Sequence, residues 1–439
     1  MVAGLDYTRF LSESALRRQP NAIREAGQLF LRSSPSTISF AAGNPNKSSF
    51  PFKEAIISLI DGTTIQLDAS AMAEALQYSS TPGYLFISNS NCDSLVFMFF
   101  FISQADLLEW LKKLQIRYHS PTDFNRYDLC ITNGSSEGLS KVFELILNPG
   151  DAILIDSPCY PGSIDFLLAY GADIISIETD SNGMNAEHLN EILSNWPKSK
   201  GLPKTLYTIP TGSNPTGTSM SFERKINIYD IARKYNLLII EDDPYYFLQF
   251  TKPEPSFLSI DTDGRVIRLD SMSKILSPGM RLGFVTAPIP LWQKIVYHQQ
   301  VTSMHASAIS QMILLKLFEK WNLSGFDEHL QSIMKFYENR KILMIDAINK
   351  YLKDMVSFHE PKAGMFIWLK IHGVEDTRKL IYEKVLSKEV LLLPGSIFFV
   401  DKSKNYPYVR VSYSLCALEQ IEIGIERFSK VLQEELIHL

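Results

Sequence analysis

The stretch "LDSMSKILSPGMRLG", residues 269–283, decides how the rest of the chain is read. The apolar residues Val266, Ile267 and Leu269 lead into Asp270, Ser271 and Ser273, and then into a lysine, Lys274. An ammonium group at the end of a hydrophobic strand is costly to desolvate, so a lysine there implies a task. Pro278, Gly279 and Arg281 follow at once, so the strand is predicted to end in a turn carrying two cations and two hydroxyls.

Outward from this stretch, strands alternate with helices. "DAILIDSP" (151–158), "ADIISIETD" (172–180), "TLYTIP" (205–210), "NLLIIEDDP" (236–244), "RVIRLDS" (265–271) and "RLGFVTAP" (281–288) read as buried strands. Between them, residues 221–235 place Ile228, Ile231, Ala232 and Tyr235 at i, i+3, i+4 and i+7, an amphipathic helix that Ser221 can cap. This alternation predicts an α/β fold with a mostly parallel sheet covered on both faces. Beyond residue 305 the pattern changes to long helices over 306–352, the short strands "VSFHEP", "GMFIWLKI", "VLLLPG" and "YVRVSYS", and a last helix over 418–436. The expected division is an N-terminal arm, 1–48, a large domain, 49–305, and a smaller α+β domain, 306–439, to which the arm belongs as a lid.

The 439 residues carry a net charge of -5, with 45% hydrophobic and 21% charged residues, so no basic footprint for nucleic acid is present. Cys92, Cys130, Cys159 and Cys416 are scattered, fitting neither a metal site nor a disulfide framework; free thiols and no metal are expected. No secretory signal is read at the start. Asp6, Glu13 and Glu25 among the early arginines argue for a cytoplasmic protein, with a mitochondrial one as the alternative.

In open α/β sheets, ligands bind outside the carboxyl ends of the strands. Four strand ends here are unusual: "ITNGSSEG" (131–138), "TIPTGSNPTG" (208–217), "IIEDDPYY" (239–246) and "LDSMSK" (269–274). Singly, each passes as turn or capping chemistry. Together they converge on pyridoxal phosphate. A hydroxyl-rich loop feeding a helix N-terminus cradles a phosphate. Arg281 adds a charge-assisted contact, an acid at a strand end holds the protonated pyridine nitrogen, and a lysine bonds the cofactor's aldehyde.

With these residues in view, the chain resembles the fold-type I aminotransferases of class I/II. "SMSKILSPGMRLG", "SNPTG", "EDDPYY" and "NPGDAILIDSPCYPG" carry the resemblance, which is nearest to the kynurenine/alpha-aminoadipate aminotransferase group. It runs from "YTRFLSESALRRQPNAIRE" to "FSKVLQEELI", nearly the whole chain. The resemblance implies a role for each matching position. Lys274 is the cofactor-bonding lysine and proton shuttle, and Asp242 the partner of the pyridine nitrogen. Asn214 and Tyr245 donate to the ring's phenolic oxygen, and Tyr160 stacks on the ring. Ser135, Ser136, Ser271, Ser273 and Arg281 form the phosphate cup. Tyr78, in "ALQYSSTPG", reaches the partner subunit's phosphate in a homodimer. Arg410, in "YVRVSYS", clamps the substrate carboxylate, with Asn214 beside it, and Gly43 and Arg24 close over the substrate. The family commonly reads Gly-Ser-Gln-Gln in the phosphate loop where this chain has "GSSEG", so Glu137 is expected to point away from the phosphate. A solvent-facing role for Arg410 on its strand is the bland alternative.

The implied reaction is transamination of an aromatic amino acid, kynurenine or 2-aminoadipate, with 2-oxoglutarate as acceptor. A cysteine-conjugate β-lyase on the same fold is the alternative. A transcription factor of this fold needs an N-terminal winged-helix module, and this chain starts directly with the family's arm. One stretch does not fit: "YLFISNSNCDSLVFMFFFIS", 84–103, has no Lys or Arg and one acid, Asp93. Without it, "ALQYSSTPG" runs directly into "QADLLEWLKKLQ", as in the family. A translated intron or gene-model error is the favoured reading. A genuine lid is the alternative, and if the segment is truly present a catalytically impaired product is implied.

Overall fold

The structure is a computed structural model that describes residue 8, residues 11–79, residue 81 and residues 104–437. The anomalous segment 84–103 lies outside the described residues.

Eight strands form the central sheet: β1 (Tyr127–Thr132), β2 (Ala152–Ser157), β3 (Asp173–Asp180), β4 (Gly183–Met184), β5 (Thr205–Thr208), β6 (Leu238–Asp242), β7 (Val266–Ser271) and β8 (Gly283–Pro288). Their spatial order is β1-β8-β7-β6-β5-β2-β3-β4. The run β7-β6-β5-β2-β3 is parallel throughout. Every residue of β5, β7 and β8 is buried, the polar ones included, as expected of strands covered on both faces. Helices fill the crossovers; in Phe222–Lys234, Ser221 accepts the Arg224 amide, the cap expected from the sequence.

Two strands run against the parallel set: β4 pairs antiparallel with β3, and β8 runs antiparallel to both β7 and β1. A parallel return needs a crossover of about a dozen residues or more, usually helical, and the turn-rich link 272–282 supplies none. The reversal matters for the site. Ser271 pairs with Gly283 and Gly283 with Thr132, so the start of β8 lies at the same edge as the ends of β1 and β7. Arg281 therefore arrives beside residues 133–136 and Ser271.

Just behind that edge sits a fully buried guanidinium. Arg268 contacts Asp270 at 2.9 Å, Asp243 at 3.0 Å and Glu241 at 3.1 Å. A buried charge needs such partners, and here they tie the ends of β6 and β7 together.

The second unit is a four-stranded antiparallel sheet in the order Val356–Ser357, Phe366–Ile371, Tyr408–Ser412, Leu393–Pro394. Ile367, Leu369, Val409 and Val411 pack there against Ile421, Ile425 and Phe428 of the last helix, Leu418–Ile437. The long helix Ala308–Tyr351 breaks at Asn322, whose φ is 51°. Leu314, Phe318, Phe326 and Tyr337 belong to the core of the large sheet, whereas Met344 and Ile348 belong to the core of the second unit, so this helix spans both. The arm joins the second unit too: Ile38–Ser39 pairs with Val390–Leu391, and Ile38 and Phe40 enter its core.

Candidate active site

A cavity of about 1320 Å³ opens over the carboxyl edge of the large sheet, between it and the second unit. All of the residues singled out from the sequence line it: Ser135 and Ser136 after β1, Tyr160 after β2, Asn214 after β5, Asp242 and Tyr245 after β6, Ser271, Ser273 and Lys274 after β7, and Arg281 before β8. Arg410 enters from the second sheet, and Gly43, Arg24 and Tyr78 from the N-terminal part.

Lys274 is buried, and its Nζ donates to the Gly43 carbonyl at 2.8 Å. A Cβ on Gly43 would lie 2.8 Å from the Phe366 ring, so only glycine brings that carbonyl so close. The ammonium lies 5.2 Å from the Tyr78 ring centre and 5.9 Å from that of Tyr245. Arg281 and Arg24 lie 5.8 Å and 5.9 Å from the same Tyr78 ring. Burial would raise the Tyr78 phenol, but the neighbouring Lys274, Ser273 and Arg281 together outweigh it and hold the group below its ordinary value.

Within this chain the Tyr78 ring lies over Lys274 and lines the same cavity. Gly279 N and Ser277 Oγ both donate to Leu76 O, at 2.8 and 2.7 Å, and these bonds tie the segment before Tyr78 to its own lysine loop.

The hydroxyl loop leads into the helix Ser135–Ile146, whose N-cap is Gly134 at φ 80°. Arg281 Nη2 donates to Asn133 O at 3.0 Å and Nη1 to Pro278 O at 3.3 Å, which lays the guanidinium beside that N-terminus. Aligned amides, serine hydroxyls and one arginine make an anion cradle. Glu137 does not line the cavity: its Oε1 accepts from Ser303 Oγ at 2.8 Å and pairs with Lys141 at 2.7 Å, while its Oε2 turns back to accept the Asn133 amide at 3.1 Å.

Asp242 is buried at the end of β6. Its Oδ2 accepts from Tyr207 Oη at 2.9 Å, while its buried Oδ1 has no hydrogen-bond partner among the described residues. Burial pushes its carboxyl up to about 7, against the Tyr207 hydrogen bond. An unpartnered buried carboxylate oxygen in a cavity wall fits a protonated ring nitrogen brought by a ligand. Tyr160 and Tyr245 flank this wall. Burial raises both phenols, that of Tyr160 to about 12, so both stay protonated donors at neutral pH.

Arg410 is 1% exposed. It donates to Asn214 Oδ1 at 2.8 Å and to Ala41 O, lies 4.3 Å from the Phe366 ring centre, and leaves Nε unpartnered. Among the described residues no carboxylate pairs with it, and burial lowers its guanidinium to about 10, still charged at neutral pH. The solvent-facing alternative is thus excluded. A buried cation with no anion is arranged for one that arrives.

Sequence reasoning missed Tyr207 and Ser163, which stand behind Asp242. The signal was present: a tyrosine inside the buried strand "TLYTIP" needs a partner for its hydroxyl.

Pyridoxal phosphate fits these residues: an anion cradle at one end, an unpartnered acceptor at the other, aromatic rings between and a lysine within the cavity. Comparison with known proteins agrees. The model of the family "Aminotransferase class I and II" matches residues 99–428. The chain is similar to the kynurenine/alpha-aminoadipate aminotransferase, mitochondrial, of Bos taurus, 43% identical over 98% of this chain and 100% of that one. Its counterpart in Mus musculus is 42% identical, with the same coverage. Among solved structures, the kynurenine aminotransferase of Pyrococcus horikoshii in complex with PMP superposes with a TM-score of 0.81 at 27% identity, covering 98% of each chain. The chain belongs to the class I and II aminotransferases, pyridoxal-phosphate enzymes of fold type I, within the kynurenine/alpha-aminoadipate aminotransferase group.

Proposed function

We propose that this aminotransferase takes the amino group from kynurenine, 2-aminoadipate or an aromatic amino acid and passes it to a 2-oxo acid, 2-oxoglutarate first among them. The observation that carries the substrate class is Arg410, a buried guanidinium with no carboxylate partner among the described residues. The relatives' names supply the side-chain classes.

The residues divide the work as follows. The amides of the helix Ser135–Ile146, with Ser135, Ser136, Ser271, Ser273 and Arg281, hold the phosphate. Asp242, through its unpartnered Oδ1, would hold the ring nitrogen, Asn214 and Tyr245 would serve the ring's phenolic oxygen, and Tyr160 would cover the ring. When bound, pyridoxal phosphate supplies an electron sink for the carbanion formed at the substrate Cα. Lys274 would bond the cofactor and is the group placed to move the proton at the substrate Cα. Arg410 fixes the substrate carboxylate with its planar fork, and Gly43 and Arg24 close over the substrate.

A homodimer belongs to this reading. Its support is apolar surface: the hairpin of Ala55–Ser58 and Thr64–Leu67 exposes Ile56, Ile57, Ile60 and Ile65, with Ile60 98% exposed, and Val301 and Met304 stand exposed elsewhere. The bovine and mouse relatives are named as mitochondrial, which supports the mitochondrion over the cytoplasm.

A panel of amino donors, each paired with several 2-oxo acids, tests the proposal. Turnover of kynurenine, 2-aminoadipate or an aromatic amino acid with 2-oxoglutarate is expected. Release of pyruvate from a cysteine conjugate with no acceptor, and no transamination, would overturn it.

A further inference from the structure

We infer that Tyr207 is a positioning residue for the cofactor: it fixes Asp242 so that one chosen carboxylate oxygen faces the ring nitrogen, and Ser163 sets the direction in which Tyr207 gives its proton. The inference rests on the reading that Asp242 meets that nitrogen.

Three elements contribute one side chain each. Ser163 lies on the helix Pro161–Tyr170, Tyr207 on β5 and Asp242 at the end of β6. The Ser163 Oγ to Tyr207 Oη distance is 2.9 Å, and Tyr207 Oη donates to Asp242 Oδ2 at 2.9 Å. Ser163 and Tyr207 are both buried, so no solvent competes for these bonds.

The order of donors follows from counting hydrogens. A phenol has one hydrogen, and an ionised carboxylate only accepts. The Tyr207 hydrogen therefore goes to Asp242, and the Tyr207 oxygen accepts from Ser163. Burial and the nearby Asp242 charge push the Tyr207 phenol well up, so it keeps its hydrogen. The ring cannot swing away: Phe143 packs edge-on against it, with ring centres 5.5 Å apart.

The outcome at Asp242 is asymmetric. Oδ2 is engaged from behind, and Oδ1 is left buried without a partner in a residue that lines the cavity. A carboxylate free to rotate would present either oxygen, at changing angles. One held by a charge-assisted bond from a rigid phenol presents a single acceptor in one place.

The test separates this role from packing. Full-length protein is loaded with pyridoxal phosphate or with its 1-deaza analogue, in which CH replaces the ring nitrogen, and the dissociation constants are measured by dialysis. Tyr207→Phe keeps the ring. It is expected to weaken pyridoxal phosphate about tenfold, the size of one hydrogen bond to a charged group, and to leave the analogue unchanged. Equal weakening of both ligands, or of neither, would overturn the inference. Asp242→Asn, measured alongside, must itself discriminate between the ligands; if it does not, the pairing of Asp242 with the ring nitrogen fails, and the inference with it. If Asp242→Asn discriminates and Tyr207→Phe does not, only the role of Tyr207 fails. Ser163→Ala leaves both Asp242 contacts in place and serves if Tyr207→Phe does not fold. It is expected to weaken pyridoxal phosphate by a smaller factor and spare the analogue; equal weakening of both contradicts the inference.

Discussion

Two buried arginines show how the same side chain serves opposite ends. Among the described residues Arg268 has three carboxylate partners and Arg410 has none. Removing the first charge strands three acids, so Arg268→Met is expected to cost about 3–5 kcal/mol of stability, read from a denaturant titration. Removing the second relieves an uncompensated charge. Arg410→Met is expected to melt no lower than wild type without substrate, while KM for the amino donor rises about a hundredfold or more; an unchanged KM would remove Arg410 from the substrate site. Asp242 gives a pH signature. Without cofactor its folded-state carboxyl titrates at about 7 against an ordinary value of 3.8. The folded chain therefore binds the extra proton across that window, and stability present below it is lost as pH rises through about 7. Asp242→Asn has no such proton. The melting temperature of the cofactor-free variant, relative to cofactor-free wild type, is expected to climb between pH 5 and 8; a constant offset would contradict the burial argument.

At the scale of elements, much of the site was legible because chemistry-bearing residues cluster where strands end. "EDDPYY" and "SMSK" interrupt apolar runs, and the residue types that must face a cofactor are rare in such places. The direction of β8 was not legible, because a buried strand has the same composition whichever way it runs; only the shortness of 272–282 carried the information. Tyr207 was passed over for a related reason: strand alternation says which face a residue is on, not what its hydroxyl meets. The hold on Leu76 is not legible either, since its carbonyl is taken by the Ser277 hydroxyl and the Gly279 amide, contacts that no local pattern announces. One turn carries a sharp test. Gly134 has φ 80°, and a Cβ there would run into the Arg281 guanidinium. Gly134→Ala is expected to weaken pyridoxal phosphate binding by about tenfold or more through the displaced arginine and the strained loop, with a smaller effect on KM for the amino donor. Dialysis of the loaded protein measures it.

For the whole molecule, the cavity lies where the large sheet, the second sheet and the N-terminal arm meet, so the substrate site depends on how these parts are held together. The helix Ala308–Tyr351 contributes to both cores, and the arm is stitched to the second unit by Ile38–Ser39. The proposed homodimer would cover the exposed isoleucines of the hairpin. Ile57→Lys combined with Ile60→Lys is expected to shift sedimentation from dimer toward monomer; unchanged dimerisation would place the interface elsewhere. The central claim is that this fold gathers pyridoxal phosphate onto Lys274 for transamination. Borohydride reduction of the loaded enzyme, followed by peptide mass mapping, tests it most directly. The expected result is the cofactor's mass on the peptide containing Lys274, with that mark lost when an amino donor is added before reduction. A mark on another lysine, or none, would contradict the account.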